Sequence, residues 1–424
     1  MQPANIQGLQ ITRRFLKVPL ATTIGIAPAD QFKMTSQERS ASLRLASIYG
    51  LRMLGLFLIL PVFSLYAATV PGGNDQTMVG IALGIYGLTQ GLLQIPFGTL
   101  SDKYGRKPII AIGLVIFAIG SFIAAWAPTL TWVIVGRALQ GAGAISSAVV
   151  AFIADSTRDE VRSKAMGLVG GTIGMSFALS LVVAPLVFDS IGVPGLFMIT
   201  GVLALGAIFM SQSVPDPIVV KPKLVGPPPS LRAVALEPEL FRINAGMFIL
   251  HIVQMAIFVV IPPLIVTQAG IPIVKHWQIY LPVVLISFAV MMPPLLKAER
   301  TGRLRTLLII SIVALMAVAA GFGWLTLTVP VLCTLMFSYF LVFNILEATL
   351  PSLVSRLAPA DARGKAVGVF NTVQAIGLAT GGLLGGYLAQ RGGAPLVFGV
   401  VIVLLAVWLA LAATMKPIAA IARR

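Results

Sequence analysis

Four ionisable side chains, Arg52, Arg137, His251 and Glu347, each lie well inside a long apolar run. A charge at the centre of a bilayer costs roughly 2.5–3.5 kcal/mol on insertion scales, so each needs a reason to be there. Glu347, in Phe343-Asn344-Ile345-Leu346-Glu347-Ala348, is the one carboxylate at such a depth. Burial and a neighbouring cation act on a carboxyl in opposite senses, and a group poised between them binds and releases a proton. Glu347 therefore reads as the carrier of a coupling proton or the attractor of a cationic compound, or else as a structural partner of Arg52 or another polar group. Arg52 faces a cavity, snorkels, or fixes its helix against a carbonyl, and the structural role is favoured. His251 suits a proton relay, although a lone histidine in an apolar helix is more commonly a hydrogen-bonded packing residue. Gln90, Gln94, Gln254, Asn344, Asn371 and Gln374 add neutral polar groups, and Tyr49, Phe57, Tyr66, Phe258, Phe340 and Phe343 add aromatic walls. Such a cavity suits lipophilic or cationic compounds better than sugars or phosphates.

The elements that carry these residues follow from composition. The 424 residues are 58% hydrophobic and 10% charged, whereas a soluble chain carries about 25% charged residues. Soluble enzyme classes are thereby set aside, and lipid is the remaining solvent. Runs of roughly 20 apolar residues span a bilayer as helices. Twelve such runs are predicted at 43–68, 77–99, 108–126, 130–152, 165–187, 193–213, 243–266, 276–296, 305–325, 329–353, 366–388 and 395–415. They are too long and too uniformly apolar for barrel strands, so the fold class is an all-α polytopic membrane protein. Arg52, Arg137, His251 and Glu347 fall one each on the first, fourth, seventh and tenth spans. A water-filled cavity at the bilayer midplane would tolerate them there.

The halves repeat. Arg162-Ser163-Lys164-Ala165-Met166-Gly167 recurs 201 residues on as Arg363-Gly364-Lys365-Ala366-Val367-Gly368, and Asp102-Lys103-Tyr104-Gly105-Arg106 is echoed 197 residues on by Glu299-Arg300-Thr301-Gly302-Arg303. Pro227-Pro228-Pro229 cannot be helical and marks a linker. The expected organisation is a cytoplasmic extension over 1–40, a six-helix bundle over 41–213, a cytoplasmic linker over 214–240, a second bundle over 241–415 and a short tail over 416–424. Residues 1–33 lack a signal-peptide pattern and read as a poorly ordered extension. The net charge of +16 invites nucleic acid, but 26 of the 30 Lys and Arg fall in the termini and in alternate loops. That is a topology signal placing both termini in the cytoplasm, and no nucleic-acid partner is needed. One cysteine, Cys333, and two histidines make no metal cage, so no metal or cofactor is expected. The phosphate-binding pattern G-x-x-x-x-G-K-[ST] does not occur in the sequence, which leaves an ion or substrate gradient as the energy source.

The sharpest motif is Gly98-Thr99-Leu100-Ser101-Asp102-Lys103-Tyr104-Gly105-Arg106-Lys107-Pro108, between the second and third spans. Gly98 permits close helix approach, Asp102 accepts charge-assisted hydrogen bonds, Gly105 allows a tight turn, and Arg106 and Lys107 can pair with carboxylates. The segment resembles motif A of the major facilitator superfamily. Arg137-Ala138-Leu139-Gln140-Gly141 resembles its motif B, and Asp155 through Arg162 and Ala165 its loop 4–5 pattern. The likeness covers nearly all of 34–415. It is nearest to YajR-like members of the twelve-span drug:proton antiporter branch, through Leu51-Arg52-Met53-Leu54-Gly55, Gly84-Ile85-Tyr86-Gly87-Leu88-Thr89-Gln90 and Leu350-Pro351-Ser352-Leu353. The antiporter motif of the fifth span is usually Gly-Pro; here it reads Ala184-Pro185, with Gly174 upstream.

The resemblance implies two six-helix bundles in the major facilitator fold, with the first, fourth, seventh and tenth spans around one cavity. It implies a non-enzymatic, proton-coupled exporter of amphiphilic or cationic small molecules, monomeric in the bacterial inner membrane. It implies that Arg137 holds substrate or tunes proton affinity, a structural pairing being the alternative. Asp102, Arg106 and Asp155 would form a gate network with the start of the eleventh span. Gly377, Gly381, Gly382, Gly385 and Gly386 would let helices slide there, or simply pack. A metabolite or sugar efflux carrier of the same fold, or a non-transporting membrane sensor, are the alternative functions. With nine residues after Met415, a soluble C-terminal domain is not expected.

Overall fold

The computed structural model describes residues 33–215, 230–358 and 363–416. Residues 1–32, most of the expected linker (216–229), 359–362 and the tail 417–424 lie outside the described residues.

The described secondary structure is helical throughout. α1 (Ser36–Phe57) starts from a capping box in which Thr35 and Glu38 each accept the other's backbone N–H, closing two of the amides a helix start leaves open. A turn leads to α2 (Phe63–Ala67). α3 (Gln76–Tyr104) is capped by Asp75 and ends at Gly105, whose φ of +94° turns the chain directly into α4 (Arg106–Ala125). α5 (Leu130–Ala142), α6 (Ser146–Asp155) and α7 (Asp159–Gln212) complete the first part. Then come α8 (Leu231–Ala235), α9 (Pro238–Thr267), α10 (Trp277–Thr301), α11 (Leu304–Trp324), α12 (Val329–Leu357) and α13 (Arg363–Ala413).

Among the described residues, nine helices are long and apolar enough to cross a membrane. Two of them, Glu160–Gln212 and Gly364–Ala413, are 53 and 50 residues long, more than twice the roughly 20 that one crossing needs. Each is broken once. Gly192 (φ 60°) divides α7 and Gly393 (φ 61°) divides α13, a left-handed conformation that a side chain disfavours. The two glycines lie 201 residues apart, the offset of the Arg162 and Arg363 segments, so the repeat in sequence recurs in the backbone.

Two expected spans differ. The first was expected unbroken over 43–68, but α1 ends at Phe57 and a turn precedes α2. The fourth, expected over 130–152, breaks between Ala142 and Ser146. Gly143 packs so tightly on α4 that a Cβ there would lie 2.3 Å from the Gly113 carbonyl oxygen. The Gly143 carbonyl accepts from Arg52 Nε at 3.2 Å, so a backbone group at the break finds a side-chain partner.

α1 lies along α7, which also packs on α4, and α4 packs on α5; α13 runs along α9 and α11, and α10 along α12. α3 against α13 and α7 against α10 join these groups. Small residues let α3 and α13 touch backbone to backbone. A Cβ on Gly80 would lie 2.0 Å from the Gly382 oxygen, and one on Gly84 2.6 Å from the Ala379 oxygen. At the same end, the Gln76 amide donates to Gln390 Oε1 at 2.8 Å. Near the other end, Gly167, Gly170 and Gly171 on α7 and Gly364 and Gly368 on α13 have open space where a Cβ would point, among the described residues. α3 and α13 thus converge toward the end carrying Gln76.

Glu38 also links α1 to the turn before α7. Its Oε1 accepts from Arg158 Nε at 2.9 Å and from the Arg158 amide at 3.1 Å. The Arg158 guanidinium holds the carboxyl of Glu38, which lies ahead of the expected first span, down at about 2. A carboxyl whose folded value is depressed stabilises above its unfolded value, near 4.5, and the contribution fades as pH falls through the folded one. Glu38→Gln is expected to lower the unfolding free energy at pH 7 by about 1–2 kcal/mol. Thermal unfolding of the two proteins at a series of pH values should show the gap closing between pH 4.5 and 2; a gap constant across that window would refute the ion pair.

Candidate functional site

The four deeply placed ionisable residues sort into two clusters. On α9, α12 and α13, Gln374 Nε2 lies 2.8 Å from His251 Nε2 and donates to Glu347 Oε1 at 3.3 Å. His251 Nδ1 lies 3.1 Å from the Met247 carbonyl. A carbonyl only accepts, so Nδ1 carries the proton and Nε2 presents its lone pair to the Gln374 amide. Glu347 Oε2 lies 3.7 Å from His251 Nε2 and is buried without a hydrogen-bond partner. A carboxyl and an imidazole face each other here, with one amide touching both. The arrangement can hold a proton on either group and release it when the surroundings change. Of the partners considered for Glu347, Arg52 is not among the ion pairs of the described residues, and the polar groups it meets are Gln374 and His251.

On α1, α3 and α5, Arg52 and Arg137 flank the Tyr86 ring, with guanidinium carbons 5.5 and 4.9 Å from its centroid. Arg137 is fully buried and donates to the Ala82 carbonyl at 3.3 Å and to Gln140 Oε1 at 3.0 Å. Gln140 passes the chain on to Ser121 Oγ at 2.8 Å. Arg52 Nη1 donates to Ser146 Oγ at 2.9 Å, so with its bond to Gly143 it fastens α1 to the break between α5 and α6. Gln90 lies one turn from Tyr86 on α3 and is buried. Asn344 stands apart from Glu347: its Nδ2 donates to Ser287 Oγ of α10 at 3.0 Å.

Aromatic rings lie between the clusters. Phe177 of α7 contacts Phe57 at 5.0 Å, Phe340 at 6.0 Å, Phe258 at 6.1 Å and Phe343 at 6.4 Å between centroids, and Phe343 reaches the His251 ring at 6.2 Å. Four of the expected wall residues therefore meet around a fifth, Phe177, which no sequence signal singled out. Tyr86 was missed in the same way, although its spacing of four residues from Gln90 and eight from Gln94 puts all three on one helix face.

At the end carrying Asp102, Arg106 ties three elements together. Its Nη2 pairs with Asp102 at 2.6 Å, its Nε with Asp155 at 2.9 Å, and its Nη1 donates to Ser101 Oγ at 2.6 Å. Gly98 packs on Ser147, and Arg162 Nη2 donates to the Ala154 carbonyl at 3.1 Å, closing the end of α6. Lys107 is half-buried beside this network. The repeat carries a counterpart, Arg356 to Glu299 at 3.0 Å. A Cβ added at Gly174 would lie 3.8 Å from the Phe288 ring of α10, and Ala184 and Pro185 are buried in α7. Among the described residues no group of His, Cys, Asp and Glu has metal-binding geometry.

The family profile of the Major Facilitator Superfamily matches residues 45–381. The sequence is 40% identical to the inner membrane transport protein YajR of Escherichia coli over 91% of this chain and 86% of that one. It is 28% identical to the multidrug resistance protein MdtH of Aeromonas hydrophila over 78% of this chain and 82% of that one. The fold matches the crystal structure of a bacterial homologue of the human lysosomal transporter Spinster, with a TM-score of 0.71 at 14% identity over 90% of this chain and 97% of that one.

Proposed function

Because the chain belongs to the major facilitator superfamily, we propose that it is a proton-coupled secondary transporter that exports amphiphilic or cationic small molecules by alternating access. It is a multi-pass membrane transporter and not an enzyme. Within this reading, twelve spans form two six-helix bundles over 41–213 and 241–415, joined by the linker 214–240. The breaks at Gly192 and Gly393 support counting α7 and α13 as two spans each. The concentration of Lys and Arg at the Asp102 end supports placing that end and both termini in the cytoplasm of a bacterial cell, the protein lying in the inner membrane as a monomer. The close approach of α3 and α13 at the Gln76 end supports a cavity closed there and open inward.

The observation that carries the proton coupling is Glu347 facing His251 across the Gln374 amide. Substrate meets the cavity between this cluster and Arg52, Arg137 and Gln90, with Asn344 supporting the wall. Gly98, Asp102, Gly105, Arg106, Lys107, Asp155 and Arg162 act as the inner gate, and Gly174, Ala184 and Pro185 form the hinge-side packing of the antiporter-like segment. The name of the MdtH relative supports a drug-type substrate.

The test is efflux of a lipophilic cationic dye from cells expressing the protein, with and without a protonophore. Export several-fold above the empty vector, collapsing when the proton gradient is removed, is expected. Export that is indifferent to the protonophore would end the proton-coupled reading.

A further inference from the structure

Arg52 and Arg137 are permanent cations, 2% and 0% exposed, and among the described residues neither meets a carboxylate. Their acceptors are neutral: the Gly143, Ala82 and Leu83 carbonyls, Ser146 Oγ and Gln140 Oε1. Two positive charges in an apolar interior are thus answered by dipoles and by the Tyr86 ring. Burying a charge without a counter-charge is strongly unfavourable. Fastening α1 to the break between α5 and α6 uses Arg52 Nε and Nη1 only. Arg52 Nη2 has no hydrogen-bond partner among the described residues, and the Tyr86 hydroxyl, on the ring between the two guanidiniums, has none either. One turn along α3, Gln90 also buries a side-chain oxygen without a partner, and its amide can present either end. A guanidinium N–H, a hydroxyl and an amide are all able to donate to an anion, and a carboxylate on Arg52 would add the counter-charge that its neutral acceptors do not supply.

We infer that the exported compound carries an anionic group, of the carboxylate or sulfonate class, bound by Arg52 Nη2 and the Tyr86 hydroxyl with Arg137 supplying a second positive charge. The inference rests on the proposed transport cavity and refines its substrate class: a cationic or apolar body turned toward Glu347, with an acid turned toward Arg52.

Rhodamine 110 and rhodamine 123 share one cationic xanthene body, and the first has a free carboxylate where the second has its methyl ester. Binding of each to the purified full chain in detergent at pH 7.5 is followed by fluorescence anisotropy. The wild type is expected to bind rhodamine 110 about tenfold more tightly or better, on the scale of one charge-assisted contact. The preference should vanish in Arg52→Gln, persist in part in Arg52→Lys and shrink in Tyr86→Phe, with rhodamine 123 affinity little changed. Equal affinities, no binding of rhodamine 110, or a preference that survives in Arg52→Gln would overturn the inference. Should Arg52→Gln not fold, Tyr86→Phe decides, since an unchanged preference there also overturns it. Binding is measured without a gradient, so its failure leaves proton-driven export standing, and a failure of proton-driven export leaves the binding result standing.

Discussion

Glu347→Gln is expected to reduce proton-driven export to the level of cells lacking the protein. The amide is nearly the same size and can still accept from Gln374, but it does not titrate. What disappears is the exchange of a proton between the carboxyl and the His251 imidazole 3.7 Å away. The loss should be about a hundredfold or more, the scale on which single proton-transfer groups act. Packing damage is separated from loss of coupling by a second assay: exchange of labelled for unlabelled dye across proteoliposomes, with no pH difference. That exchange needs the conformational cycle but no net proton movement, and should persist in the variant. Undiminished uphill export in Glu347→Gln, with an imposed pH gradient as the sole driving force, would remove the residue from the coupling pathway.

Gly80→Val is the second change with a large expected effect. A Cβ at Gly80 would lie 2.0 Å from the Gly382 carbonyl oxygen and 2.9 Å from the Gly386 Cα. Both obstacles are backbone, so no rotamer relieves the clash. Overpacking of this kind costs about 1–3 kcal/mol, and here the cost falls only on the arrangement in which α3 and α13 converge. The balance should shift away from that arrangement by about tenfold or more. Ser64, buried and bonded to the Phe258 carbonyl at 3.5 Å near the converged end, provides the reporter. In a Cys333→Ser background, Ser64→Cys should react about tenfold faster with a membrane-impermeant maleimide when Gly80 is valine. Turnover should fall while the protein still purifies as a folded species. An unchanged labelling rate with full transport would show that the contact is dispensable.

Most of the helical course was legible because a spanning helix has to be apolar along its whole length. The Asp102–Arg106 segment was legible because its turn requires glycine at Gly105 and its charges sit at a helix end, where their neighbours are few. The internal repeat was visible in two short segments, and Gly192 and Gly393 extend it. The pairing of the intramembrane residues was a different matter. Depth follows from position along a helix, but the direction a side chain faces depends on which neighbour packs there. Thus Glu347 met His251 and Gln374 rather than Arg52, and Asn344, only one turn away, met Ser287. Phe177 carries no signal of its own in a chain with 22 phenylalanines. The break at Gly143 was hidden because glycine and alanine inside an apolar run read equally well as helix or as close contact.

The single-residue pivots at Gly192 and Gly393 bear on how the molecule can be handled from outside. At each, a single residue breaks the helical run and leaves no extended stretch for a protease to grip or an antibody to recognise. At Gly192 the positive φ, and the Pro194 Cδ 3.3 Å from where a Cβ would sit, disfavour any residue with a side chain. The connection between α2 and α3 is a longer run of turns instead, and its exposed residues ahead of the Asp75 cap are where a tag belongs if the helices are to be left undisturbed.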